Sequence, residues 1–189
     1  MEHQCRYGEP MTVSEYLRTP ETTRRIELIN GMVREPAAPA RRHQDIAVAI
    51  WRHLHNHVRR HALGYVGMSP IDVILDRHAA VVVQPDVLFV AAERAPHIVR
   101  RRVWGAPDLA VEVTSQGTGR FDRRDKRTLY REHGVAEYWL ADPCLGEVTV
   151  EHFATQQVRC FEPGSVVRSL VLPRLRLPVA RIFDAGPFY

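Results

Sequence analysis

The sequence predicts an α/β protein: a mixed β-sheet flanked by α-helices, with an N-terminal β-hairpin and C-terminal β segments. Three observations carry this prediction: an Asn30-Gly31 pair between two short apolar runs, two helical periodicities separated by β-branched runs, and a tail punctuated by prolines. At 189 residues the chain has the length of one hydrophobic core. We read residues 1–10 as an N-terminal extension and 11–189 as one domain. Hydrophobic residues make up 45% and charged residues 25%, the balance of a globular chain rather than a disordered one.

The elements follow in order. Thr12 precedes Glu15 by three residues, the spacing of a capping box, and opens a short helix. RIELINGMVRE then reads as a hairpin turning at Asn30-Gly31 and carrying Glu27. From His43 to His61, Ile46, Ile50, Leu54 and Val58 share one side of a 3.6-residue wheel, which predicts a long amphipathic helix ending near Gly64. SPIDVIL and AVVVQPDVLFV are β-branched and predict paired strands, with Pro85 placing the second at an edge or making it irregular. After a basic loop, DLAVEVTS alternates, so that Leu109, Val111 and Val113 face one way and Ala110 and Glu112 the other.

A charged helix is expected from Arg120 to His133, closed by Gly134, with Phe121 and Leu129 on its inward stripe. Lys126 lies about 60° from Leu129 at 100° per residue and can turn toward the sheet. EYWLADP and EVTVEHF are further strands, and Val158 to Phe183 reads as short β segments.

Two acids and one amine stand out. Asp86 follows a proline inside an apolar run, and Glu112 interrupts another, with no neighbouring cation on its strand. A buried carboxylate is costly unless a cation or metal accompanies it. Two that converge would suit a hard divalent ion such as Mg²⁺, which takes one or two carboxylates plus water and phosphate oxygens. Pairing with arginines would neutralise them equally well. Of 26 Lys plus Arg residues 25 are arginine, and the one lysine is Lys126. Arginine replaces lysine as a surface charge but not as a compact primary amine. Beside a metal site, such an amine could orient or deprotonate an attacking water. Asp122, one helical turn before it, is its structural rival as an ion-pair partner.

The ordered pieces EYL, IELINGMV, QPDVLFV, PDLAVEVTS, FDRRDK and LYREHGVAEYWLADP resemble a bacterial family of restriction endonuclease-like proteins, formerly a domain of unknown function, within the PD-(D/E)XK nuclease superfamily. The resemblance runs from about Met11 to His152. It implies a restriction endonuclease-like fold and divalent-metal-dependent hydrolysis of phosphodiester bonds in DNA. It also implies that Asp86 and Glu112 hold Mg²⁺ or Mn²⁺ together with the Val113 carbonyl. The superfamily lysine lies two residues after the glutamate, where this chain has Thr114; in the resembling family it has moved to the following helix, which here carries Lys126. Glu27 lies in the family's E-L-x-x-G motif and is a further candidate acid.

Other features weigh less. A net charge of +4 favours a polyanionic partner, and Arg100, Arg101 and Arg102 before Trp104 combine phosphate-binding charge with an aromatic surface. His53, His57 and His61 stack at four-residue intervals without an acidic or cysteine partner. His43 could reach the site or cap its helix. Cys5, Cys144 and Cys160 are too far apart for a zinc or redox pair. The absence of Walker, H-E-x-x-H, G-x-S-x-G and GxGxxG patterns argues against NTPase, zincin, hydrolase-elbow and dinucleotide chemistry. No stretch suits a membrane span or signal peptide, so a cytoplasmic protein is expected. A nuclease that cuts both strands needs two sites, which makes a homodimer plausible. A nuclease-fold protein that binds nucleic acid without turnover is the competing reading.

Overall fold

The computed structural model describes residues 8–20, 22, 24–114 and 119–184, with the backbone alone over 119–124. Of the expected extension, residues 8–10 run beside the hairpin: Gly8 N–H donates to the Val33 carbonyl and Val33 N–H to that of Glu9. Thr12 closes the expected capping box with Glu15 at the start of α1 (Val13–Tyr16). Asn30 and Gly31 both take positive φ, 51° and 78°. That is the geometry of the tight hairpin turn joining β1 (Glu27–Ile29) to β2 (Met32–Arg34).

Helix α2 (Arg41–His61) starts two residues before the periodicity indicated, and buries Ile46, Ala47, Ile50, Leu54 and Val58. Its left-handed C-cap is Ala62, so Gly64 opens β3 (Gly64–Met68) rather than ending the helix. Strands β4 (Val73–Asp76) and β5 (Val81–Val83) pair antiparallel, as expected. The apolar run that follows is not one strand. It breaks at Gln84-Pro85-Asp86, and β6 (Val87–Ala91) belongs to another sheet. Of the two expectations for Pro85, irregularity holds and an edge position does not, because β5 and β6 each lie between two neighbours. A residue without an N–H is tolerated at this crossing because no ladder needs its donor there.

The basic stretch contains α3 (Ala95–Ile98) and β7 (Val103–Trp104), the latter parallel to β4. Next come β8 (Leu109–Val113), α4 (Gly119–Glu132), β9 (Glu137–Asp142), β10 (Glu147–His152) and β11 (Gln157–Phe161). The tail holds β12 (Val166–Val167), β13 (Leu177–Pro178) and α5 (Ala180–Phe183). The chain thus forms two mixed sheets, β2-β1-β5-β4-β7 and β11-β10-β9-β8-β6-β3, with β12-β13 as a small third.

Three apolar clusters set the layers. Ile46, Ile50, Leu54 and Val58 of α2 and Ile182 of α5 meet Leu109, Val111 and Val113 on the outer face of the six-stranded sheet. Between the two large sheets, Val81 and Val83 meet Leu88, Val90 and Ala110, joined by Leu129 and Tyr130 of α4. Beyond the five-stranded sheet, Val13 and Tyr16 of α1 cover Leu28, Ile74 and Val82. The alternation in β8 therefore places Glu112 on the same face as Ala110, toward the space between the sheets. Among the described residues, no helix is long and apolar enough to cross a membrane.

Candidate active site

Four of the candidate residues stand where their elements bring them into this inter-sheet space. Glu27 starts β1, Asp86 sits at the crossing just before β6, Glu112 lies in the central strand β8, and Lys126 projects from α4. All four are buried, as is His43. Lys126 Nζ donates to Glu27 Oε1 at 2.8 Å and to Glu112 Oε1 at 3.0 Å. Tyr130, one turn further along α4, donates its hydroxyl to the same Glu112 oxygen at 2.6 Å. Glu27 Oε1 also accepts the Gln84 backbone N–H at 2.8 Å. The Val113 N–H donates to Asp86 Oδ2 at 2.7 Å, and His43 Nε2 lies 3.2 Å from that oxygen. The His43 Nδ1 is buried without a partner.

Arg25, immediately before β1, reaches into the same space. Its Nη1 is 2.8 Å from Asp86 Oδ1. Its Nη2 donates to the Gln84 carbonyl and lies 3.4 Å from Glu112 Oε2 and 3.8 Å from Glu27 Oε1. A cleft of about 270 Å³, bordered by Arg24, Arg25, Pro36, Met68, Pro70 and Asp86, leads from this point to solvent.

The charges are strongly interdependent. Burial works against the Asp86 carboxylate, but the hydrogen bond from His43, the Arg25 charge and the Val113 N–H outweigh it and bring its pKa down to about 2. For Glu112 burial prevails: its pKa is raised although Lys126 pulls it down, and Asp86 adds to the rise. Burial would lower Lys126, but Glu112 and Glu27 raise it above the ordinary lysine value. These carboxylates favour the ammonium form, in which Lys126 donates hydrogen bonds. Arg25 keeps its charge likewise, burial being overcome by Glu112, Asp86 and Glu27. Burial raises the Tyr130 hydroxyl well above its usual range, and Glu112 adds to this, so it is a donor.

No three His, Cys, Asp or Glu side chains among the described residues form a ready metal cage. Carboxylate oxygens nevertheless are the ligands a hard cation takes, and Asp86 and Glu112 come close enough to share one partner, the Arg25 guanidinium standing between Asp86 Oδ1 and Glu112 Oε2. Two carboxylates are what Mg²⁺ or Mn²⁺ commonly takes from a protein, water and phosphate oxygens filling its other positions.

Residues 13–180 match the Uma2 family, described as "Putative restriction endonuclease". The chain belongs to this family. Its fold is that of a solved structure from Anabaena variabilis, described as "a putative nuclease belonging to DUF820", with a TM-score of 0.79 and 21% identity over 93% of this chain and 99% of that one. No curated protein matches the chain.

Within this Uma2 member, the remaining candidates lie elsewhere. Arg102 Nε donates to Asp72 Oδ2 at 2.9 Å, and Arg100 Nη1 folds back onto the Val99 carbonyl at 2.9 Å. Arg101 and Arg102 border a second cleft of about 240 Å³, shared with Arg24, Asp72 and Gln84. Trp104 is only partly buried, and its ring is covered by Arg77 at 5.4 Å. His53 Nδ1 donates to the Ala49 carbonyl and His57 Nε2 to that of Pro173. The Phe121 and Asp122 side chains, and Cys5, lie outside the described residues.

Sequence reasoning missed Arg25, Gln84 and Tyr130. Tyr130 had a signal, since it is one turn from Lys126 on the stripe that faces the sheet. Arg25 had none among 25 arginines, because its partners lie 61 and 87 residues away.

Proposed function

We propose that the protein is a divalent-metal-dependent endonuclease that hydrolyses phosphodiester bonds in DNA. The observation that carries this reading is the convergence of Asp86, Glu112 and Lys126, with Glu27, in one buried site of a Uma2 chain. Asp86, Glu112 and the Val113 carbonyl would hold Mg²⁺ or Mn²⁺. When bound, such an ion supplies positive charge to the phosphoryl oxygens and acidity to a water.

The chain's own groups then have distinct tasks. Lys126, an ammonium fixed by Glu27 and Glu112, donates a hydrogen bond that orients the attacking water and offsets charge developing on the phosphate. Glu27 is a positioning residue, holding Lys126 while the Gln84 N–H holds it in turn. Tyr130 fixes the Glu112 carboxylate. His43 and the Val113 N–H fix Asp86 through Oδ2. The water oxygen bonds to phosphorus as the opposite P–O bond breaks, the water's proton passing to solvent and the leaving alkoxide taking one up. Arg100, Arg101 and Arg102 would serve DNA phosphates at the rim. Two sites in a homodimer would allow both strands to be cut, which sedimentation of the full chain tests directly.

Purified protein should nick supercoiled DNA when Mg²⁺ or Mn²⁺ is added. Asp86→Ala or Lys126→Arg should each lower the rate at least about 100-fold. Nicking that survives both substitutions would falsify the assignment. One observation favours the reading without turnover: Arg25 and Lys126 already neutralise much of the acidic cluster. On that reading DNA binding is salt-dependent but indifferent to metal and to Glu112→Gln.

A further inference from the structure

Three carboxylates, Glu27, Asp86 and Glu112, face two fixed cations, Arg25 and Lys126. Adding a divalent ion to this set would leave it with excess positive charge in a place where charge is poorly screened. Moving one of the two cations off the acids relieves that excess, and the two are held differently. Lys126 is pinned at 2.8 and 3.0 Å from two carboxylates and is carried by α4. Arg25, bonded to Asp86 at 2.8 Å and to the Gln84 carbonyl, belongs to no helix or strand, borders the cleft and approaches Glu112 only to 3.4 Å. Its Nε is buried with no hydrogen-bond partner.

We infer that Arg25 holds the divalent ion's place in the metal-free protein, and that metal binding at Asp86 and Glu112 moves its guanidinium into the adjoining cleft, where it binds a phosphate of the substrate strand. The same group would then serve both states, as a counter-ion before the metal arrives and as a planar phosphate fork afterwards. No further side chain has to be recruited to meet the phosphate, because the cation released from the acids is already at the wall of the passage that leads to them. Arg24, its neighbour, also borders that cleft and carries its own carboxylate partner, Glu35. This inference rests on the metal-dependent reading above.

Two measurements on the metal-stripped full chain test it. The first is Mn²⁺ affinity, from the resonance of the free ion, for the native protein, Arg25→Met and Arg25→Lys. Arg25→Met should bind at least about tenfold more tightly at unchanged stoichiometry, the factor for one charge-assisted hydrogen bond that no longer competes. Arg25→Lys, which keeps a charge but cannot bridge both acids, should fall between the two, and it decides the matter if Arg25→Met does not fold. The second is DNA binding against salt concentration in Ca²⁺. The native protein should have a log–log slope about one unit steeper than Arg25→Met, and the two slopes should coincide without metal.

Equal Mn²⁺ affinities in native and variant proteins overturn the displacement while leaving the metal-dependent reading intact. Coincident slopes in Ca²⁺ overturn the phosphate contact. If none of the three proteins binds Mn²⁺, the metal-dependent reading fails and the displacement fails with it.

Discussion

Lys126 shows what a buried amine needs. Without Glu27 and Glu112 the cost of removing an ammonium from water would strip its proton; with them it is charged more firmly than in solution. Tyr130 finishes the arrangement by donating to Glu112 Oε1. Tyr130→Phe should cost about 1 kcal/mol in urea unfolding, since Lys126 still satisfies that oxygen. Asp86 links this cluster to pH. Its folded pKa of about 2 lies below the ordinary 3.8, so in EDTA its contribution is complete above 3.8 and is lost as pH falls toward 2. That contribution is roughly 2 kcal/mol. The stability difference between the native protein and Asp86→Asn should therefore narrow on acidification through that window; a constant difference would show that Asp86 is not depressed. Asp86, Glu112 and Lys126 were legible because each breaks a local rule, an acid in an apolar strand or a lysine in an arginine chain. Arg25 breaks none, and only long-range contacts reveal it.

At the scale of elements, local patterns found the hairpin, both long helices and the inward face of β8, because those depend on neighbours three or four residues away at most. The Pro85 break was visible, but not that β5 and β6 enter different sheets, which depends on partners far along the chain. Gly64 is another position whose demand is non-local. Its φ is 145°, and a Cβ there would stand 2.1 Å from the Val90 carbonyl oxygen on the paired strand. Gly64→Ala should cost more than about 2 kcal/mol, as a backbone clash in a paired strand has little room to relax. Gly31→Ala should cost only about 1 kcal/mol, because its nearest neighbours would be 3.7 and 3.9 Å away and the penalty is that of positive φ alone. Chemical denaturation of the two variants measures the contrast.

For the molecule as a whole, the internal pairing of acids with Arg25 and Lys126 has a thermodynamic result. Removing metal with EDTA should shift the native melting temperature by no more than about 1 °C when the ion is present near its dissociation constant, since ligand stabilisation grows only with saturation. Arg25→Met should melt lower than the native protein in EDTA and regain much of that loss in Mn²⁺. The hydrogen bonds that define the site join residues 99, 61 and 57 positions apart, Lys126 to Glu27, Arg25 to Asp86 and Gln84 to Glu27. Contacts this distant form late, after the entropy of closing long loops has been met. A chain still being synthesised, with both sheets incomplete, holds the acids but not their arrangement. Cutting ability, on the function proposed here, therefore arrives at the end of folding, and a half-made copy is harmless to the DNA around it.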